Sequence, residues 1–160
     1  MKISPIIIVA CVVGVVLLVL LARKRVTIAP TYSVTSHDIP EVISQLDRSS
    51  QNGHFAVLMF VPPGSTDGEA VNLQYSIESG TVGMDWVLLG PRNIADREKI
   101  SEFASKLGHP LDEREMNGVH YLRVTGSSIS ELGAKIIQDF YHISPDTKLE
   151  MITEGFKWQP

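Results

Sequence analysis

Cysteine is nearly absent from this chain: Cys11 is the single one, and residues 26–160 contain none. A disulfide framework, a thiol nucleophile and a cysteine-ligated zinc site are therefore excluded from residues 26–160. The cytoplasm and the periplasm are both compatible with such a composition, so cysteine usage does not identify the compartment.

Catalytic and cofactor motifs are missing as well. No two of the five histidines have the i, i+4 spacing of a helical metal site: His37, His54, His109, His120 and His142. The stretch GSTDG at 64–68 lacks the GK[ST] ending of a phosphate-binding loop, so a turn is the simpler interpretation, and no GxSxG motif marks a serine nucleophile. We therefore predict no metal and no cofactor.

The chain does contain one long apolar run, ISPIIIVACVVGVVLLVLLA, over residues 3–22. It carries no charged side chain, and a helix of that length spans about 30 Å, the thickness of the hydrocarbon core of a bilayer. We predict a transmembrane anchor with a basic flank over residues 1–25, which contacts the lipid bilayer through residues 3–22.

Two other kinds of N-terminal segment fit this sequence less well than a retained anchor. A cleaved secretory signal has a shorter apolar core and ends in an A-x-A pattern, which this run lacks. Residues 8–11 (IVAC) resemble the lipobox of a bacterial lipoprotein signal, but mostly aliphatic residues follow Cys11. The length of the run favours the retained anchor.

The basic residues flanking the run predict its orientation. Arg23, Lys24 and Arg25 follow the run, whereas Lys2 alone precedes it. Because the cytoplasmic side holds the excess of Lys and Arg, we expect a single-pass protein of the cell (inner) membrane with a cytoplasmic C-terminal domain. Ala10 and Gly14 form a small-xxx-small pair, which is compatible with weak self-association.

The rest of the chain is acidic and has the size of one domain. Residues 26–160 carry ten basic and eighteen acidic side chains, a formal charge of −8. We predict a juxtamembrane linker over 26–37, with room for a short strand at one end, and a single domain over 38–160. Its acidity argues against nucleic acid as a partner. Because no catalytic motif is present, another protein is the expected partner.

Hydrophobic patterning predicts an α+β fold with a mainly antiparallel sheet and three helices, in the order α-β-β-β-α-β-α-β. The helices follow caps at Asp38, Asn93 and Ser128. The run HFAVLMFV at 54–61 predicts a strand inside the sheet, VHYLRV at 119–124 a later strand, and KLEMIT at 148–153 a last strand at an edge. Residues 109–117 are interpreted as a charged connection.

Residues 69–89 predict a hairpin whose register can be checked from the sequence alone. If Ser79 and Gly80 are the turn residues, all the facing residues on one side are apolar: Ile77 with Val82, Tyr75 with Met84, Leu73 with Trp86, and Val71 with Leu88. That side is expected to be buried. On the other side, Asn72, Gln74 and Asp85 form a candidate polar binding face, and the alternative interpretation is the solvated outer face of an antiparallel sheet.

The order of elements resembles the type III secretion chaperone-like group at the level of topology. The resemblance rests on a helix followed by a three-stranded meander and a second helix, and on a helix, a Ser-Pro-Asp turn and a strand over 132–149. It implies a non-catalytic protein-binding domain, chaperone-like or adaptor, and it transfers no site residue. The alternative is a membrane-tethered enzyme that uses Asp85, His120 or Arg123.

The first prediction concerns orientation. A reporter enzyme fused after Pro160 should be active in the cytoplasm, because the basic flank lies on the C-terminal side of the apolar run. Activity of a periplasmic reporter at the same position would contradict this orientation.

Overall fold

The computed structural model describes residues 30–160. The predicted anchor, its basic flank, and the pair Ala10 and Gly14 lie outside the described residues. Among the helices of residues 30–160, none is both long and apolar enough to cross a membrane.

An antiparallel sheet of seven strands forms the centre of an α+β fold. The strands are β1 (Thr31–Val34), β2 (Phe55–Phe60), β3 (Val71–Glu78), β4 (Thr81–Val87), β5 (Asp112–Met116), β6 (Val119–Thr125) and β7 (Leu149–Glu154). Their order across the sheet is β1-β7-β2-β3-β4-β6-β5. The predicted class and the antiparallel character of the sheet are confirmed.

Four helices cover one face of this sheet, which we call the helix face. They are α1 (Ile39–Ser49), α2 (Pro91–Ala95), α3 (Arg97–Lys106) and α4 (Ile129–Lys135), and a π-helical turn, Ile136–Phe140, continues α4. Val42 and Leu46 of α1, Ile100 of α3 and Leu132 of α4 are fully or almost fully buried in one core. Every second residue of the central strands points into the same core, because side chains alternate between the two faces of a sheet.

The hairpin of β3 and β4 has the predicted register. The ladder pairs Gln74 with Asp85, Tyr75 with Met84, Ser76 with Gly83, Ile77 with Val82, and Glu78 with Thr81. Ser79 and Gly80 have φ values of 52° and 74°, as the two central residues of a type I′ turn require. On the helix face, the apolar residues of the two strands are buried, whereas Leu88, after the end of β4, is only partly buried.

Three strands differ from the prediction. β1 lies inside the segment 26–37, where the prediction left room for a short strand, but it pairs with β7, so the sheet begins before the predicted domain start at residue 38. β7 lies between β1 and β2 instead of at an edge, with Leu149 and Met151 in the core. β5 forms in the predicted charged connection, where every residue of the strand is exposed and no apolar alternation could reveal it.

The helical segment after β4 also differs from the prediction. Two short helices, α2 and α3, meet at Asp96 where one helix was expected, so there are four helices and not three. The first of these helices begins at Pro91, and its N-cap residue is Gly90 and not Asn93. Asn93 is fully buried instead. Its side-chain amide is satisfied there, because Oδ1 accepts from the Asn72 backbone N–H at 3.1 Å and Nδ2 donates to the Asn72 carbonyl at 2.8 Å.

The second prediction concerns Trp86, which is fully buried. Its Nε1 donates a hydrogen bond to the Asn93 carbonyl at 2.9 Å, and its ring stacks on Tyr141 with 6.3 Å between centroids. Trp86→Ala should lower the free energy of unfolding by about 3–5 kcal/mol, as aromatic truncations in cores do. Ile94→Ala is the matched control, since Ile94 is 56% exposed on α2. Denaturant unfolding followed by circular dichroism measures both, and equal costs would contradict this core.

Candidate functional site

The face of the sheet opposite the helices, which we call the open face, carries polar side chains on its central strands. Gln74, Ser76 and Glu78 of β3 lie on it, together with Asp85 of β4 and Arg123 of β6. The ladder places Asp85 directly between Gln74 and Arg123, because β4 pairs with β3 on one side and with β6 on the other.

Arg123 is the centre of this group. Its Nη1 donates hydrogen bonds to Asp85 Oδ1 at 2.5 Å and to Ser76 Oγ at 3.0 Å. Its Nη2 donates to the Ser76 and Thr81 carbonyls at 3.2 and 3.1 Å, and its Nε lies 3.1 Å from Glu78 Oε2. All three guanidinium nitrogens therefore have oxygen partners, and one side chain of β6 contacts two other strands, β3 and β4.

The guanidinium reaches these partners by crossing over Gly83. A Cβ atom on residue 83 would lie only 2.5 Å from Arg123 Cζ, closer than non-bonded carbons approach. Glycine in the middle of a strand often marks such a close approach, and here it leaves the space that the ion pair occupies.

Asp85 is buried although it lies on the open face, with 1% of its surface exposed. The Ser76 hydroxyl donates to its Oδ2 at 2.5 Å, and Gln74 Nε2 donates to the same atom at 3.4 Å. Burial raises the pKa of the Asp85 carboxyl above its ordinary value, and the Arg123 guanidinium opposes that rise. The interpretation of this side as a solvated outer face is therefore wrong at Asp85.

A cleft of about 450 Å³ opens on this face next to the buried group. Its lining is formed by strand residues and by the turns at both ends of the open face: Asn52, Gly53, Phe55, Gln74, Ser76, Ile77, Glu78, Ser79, Asp85, Val87, Leu89, Met116, Asn117, Val119 and Tyr121. The β5–β6 hairpin supplies one wall through Met116 and Val119. Asn52 and Ser79 lie at the opposite wall. A hydrogen bond from the Gly80 backbone N–H to Asn52 Oδ1, at 2.8 Å, joins the two loops there.

The candidate residues Gln74 and Asp85 come together and line the cleft, whereas Asn72 does not line it. Asn72 is 5% exposed, its backbone N–H donates to Asn93 Oδ1, and its backbone carbonyl accepts from Asn93 Nδ2. The Nδ2 of Asn72 has no hydrogen-bond partner within residues 30–160. Of the three candidate residues, Gln74 and Asp85 therefore line the cleft, whereas Asn72 contacts α2 through Asn93.

Three residues of the site were not among the candidates, namely Ser76, Glu78 and Tyr121, and Arg123 was named only in the enzyme alternative. Ser76 and Glu78 continue the alternation of Asn72 and Gln74, so the hairpin pattern could have included them. The pairing of β4 with β6 could not be inferred, because two helices and β5 separate the two strands in the chain.

The three residues of the enzyme alternative do not converge. Asp85 and Arg123 form one ion pair, but His120 lies on the helix face of β6, where it is exposed. Its ring nitrogens lie 3.7 Å from Glu113 and 3.7 Å from Glu115. Within residues 30–160 no three His, Cys, Asp or Glu side chains are grouped so that they could hold a metal ion.

Comparison of the chain with protein-family models, with curated proteins and with solved structures found no match.

The third prediction concerns Tyr121, whose hydroxyl donates to Glu78 Oε1 at 2.8 Å. Burial, followed by the hydrogen bond to Glu78, raises the pKa of Tyr121 to about 12. Its contribution to stability should be complete below the unfolded-state pKa of about 10 and should be lost as the pH rises through about 12. Absorbance at 295 nm measures the ionisation, and the difference between the wild type and Tyr121→Phe should show a transition near the higher value. A difference transition near pH 10 would contradict the contact.

Proposed function

We propose that this chain is a single-pass membrane protein whose α+β domain binds another protein and is not an enzyme. The apolar run over residues 3–22 supports the anchor, and the basic flank supports a cytoplasmic domain. The chaperone-like resemblance is compatible with this proposal but carries no site residue.

The state of the polar groups on the open face supports a binding role over a catalytic one. Both carboxylate oxygens of Asp85 accept hydrogen bonds, and every nitrogen of Arg123 has an oxygen partner. A general acid or base needs a hydrogen-bonding position that is free for the substrate. Asp85 and Arg123 are hydrogen-bonded to each other and to Ser76, so they stabilise the sheet and form the floor of the cleft.

The observation that carries the proposal is the cleft next to a free strand edge. β5 is the last strand of the sheet, and within residues 30–160 nothing pairs with its outer edge. Met116 of β5 also lines the cleft. An exposed edge beside an apolar groove is a common arrangement for binding an extended segment of a partner.

The fourth prediction tests this proposal by photo-crosslinking in intact membranes. The photoreactive residue p-benzoylphenylalanine in place of Met116 should form a discrete adduct with another protein, because 51% of Met116 is exposed at the wall of the cleft. The same substitution at Ile94, which is 56% exposed on α2, is the matched control and should form no such adduct. The adducts are measured by immunoblotting after irradiation.

Two outcomes would contradict the proposal. One is the absence of any adduct at Met116, and the other is the same set of adducts at Met116 and Ile94. The second result would indicate random collision on the membrane and not a binding surface.

A further inference from the structure

The outer edge of β5 presents the backbone groups of two glutamates. Asn117 and Gly118 have φ values of 53° and 80°, so they form a type I′ turn in which the last residue of β5 and the first of β6 are a hydrogen-bonded pair. Hydrogen-bonded and non-hydrogen-bonded pairs alternate along an antiparallel ladder. Glu115 and Glu113, the second and fourth residues from the turn, therefore direct their backbone N–H and C=O groups away from β6.

A hydrogen bond on the other side of β6 supports this assignment. The Leu88 backbone N–H donates to the His120 carbonyl at 2.9 Å, so the backbone of His120 faces the chain that continues β4. His120 is the ladder partner of Glu115, and its backbone groups point away from β5. Within residues 30–160 no strand lies on the outer side of β5. The free backbone groups of Glu113 and Glu115 can therefore bond a further strand.

The side chains of these two glutamates favour a basic partner. Both lie on the helix face of the sheet edge, as does His120. The Glu115 carboxylate is 58% exposed, and its one ion pair within residues 30–160 is with His120 Nε2 at 3.7 Å, beyond hydrogen-bonding distance. Glu113 is 51% exposed and shares its carboxylate with Arg97 at 2.7 Å. Opposite charges directly across two strands are stabilising, so a lysine or arginine is favoured opposite each glutamate.

The residues on the open face of β5 define the rest of the pattern. Arg114 lies between the two glutamates on the opposite face of the strand, and a basic residue across from it would be repelled. Met116 is 51% exposed and favours an apolar residue. The edge therefore fits a strand in which two basic residues are separated by one that is not basic.

A second copy of this chain is a poor partner for the edge. The antiparallel register that overlaps the whole of β5 would place Glu113 opposite Glu115 and Arg114 opposite Arg114. Like charges directly opposite are destabilising, so a different protein is favoured.

We propose that the outer edge of β5 binds an extended segment of a partner protein as a further antiparallel strand, with lysine or arginine side chains facing Glu113 and Glu115. A residue that is not basic faces Arg114, and an apolar one faces Met116. Backbone hydrogen bonds supply affinity, and the charges select the segment and its register. This inference rests on the proposed function and names the chemistry of the partner.

The test uses the full chain in nanodiscs of uncharged phosphatidylcholine and two fluorescent peptides of identical composition. In Thr-Val-Lys-Thr-Lys-Val-Thr the lysines can face both glutamates, with threonine across from Arg114. In Thr-Lys-Val-Thr-Val-Lys-Thr the lysines are four residues apart, so only one can face an acidic residue of β5 in any register. We expect the first peptide to bind at least about threefold more tightly, measured by anisotropy. Equal affinities, or no binding of either peptide, would overturn the inference.

N-methylation of the first peptide tests the strand pairing. The amides of its two lysines should bond Glu113 and Glu115, whereas those of its two valines should point away from β5. Methylation of both lysine amides should weaken binding by about tenfold or more, and methylation of both valine amides should weaken it much less. Equal sensitivity at the two pairs of positions, or the reverse order, would overturn antiparallel pairing with β5.

A matched pair of variants locates the charge contact. Glu115→Gln should remove the preference between the two peptides, because each then faces one acidic residue. Glu98→Gln, at an exposed position of α3, should keep the preference. A preference that survives Glu115→Gln, or that is lost equally in Glu98→Gln, would overturn the assignment of Glu115.

The crosslinking experiment separates this inference from the proposed function. A specific adduct at Met116 without a preference between the peptides would overturn the inference and leave the proposed function standing. A preference between the peptides without an adduct would overturn the proposed function and leave the pairing chemistry of the β5 edge standing. Failure of both experiments would overturn both.

Discussion

The ion pair between Arg123 and Asp85 is the constraint on which the open face depends. It joins β6 to β4, and the same guanidinium reaches the hydroxyl and the carbonyl of Ser76 on β3. A buried charge without a partner is costly, so each of these groups requires the others. Gly83 follows from the same constraint, because the guanidinium occupies the space over its Cα. The floor of the cleft is therefore a set of mutually bonded polar groups, next to the apolar side chains of Phe55, Val87 and Val119.

Much of the fold could be predicted from local patterns. The hairpin register followed from the alternation at 71–77 and 82–88, because a shift of one residue would bury Gln74 and Ser76 in the core in place of Tyr75. β5 could not be predicted, since its residues are all exposed and the strand is held by pairing with β6. The position of β7 could not be predicted, because its neighbours β1 and β2 lie about a hundred residues earlier in the chain.

The site was predicted in part for the same reasons. Gln74 and Asp85 belong to one hairpin, so their proximity could be inferred from its register. Arg123 lies in the run VHYLRV, where a single charged residue gives no indication of its partner. Asn72 shares the alternation of Gln74, but a tertiary contact with Asn93 removes it from the cleft. Local alternation predicts which face a side chain lies on, and only the assembled sheet determines what it contacts there.

A double-mutant cycle on the full chain tests most directly whether the Asp85–Arg123 pair holds the open face together. The cycle measures the free energy of unfolding of the wild type, Asp85→Asn, Arg123→Gln and the double variant. We expect each single change to cost about 3–5 kcal/mol, because it leaves a buried partner uncompensated. The double variant should cost less than the sum by more than about 1 kcal/mol. Costs that add within about 0.5 kcal/mol would show that the two residues act independently and would contradict the account.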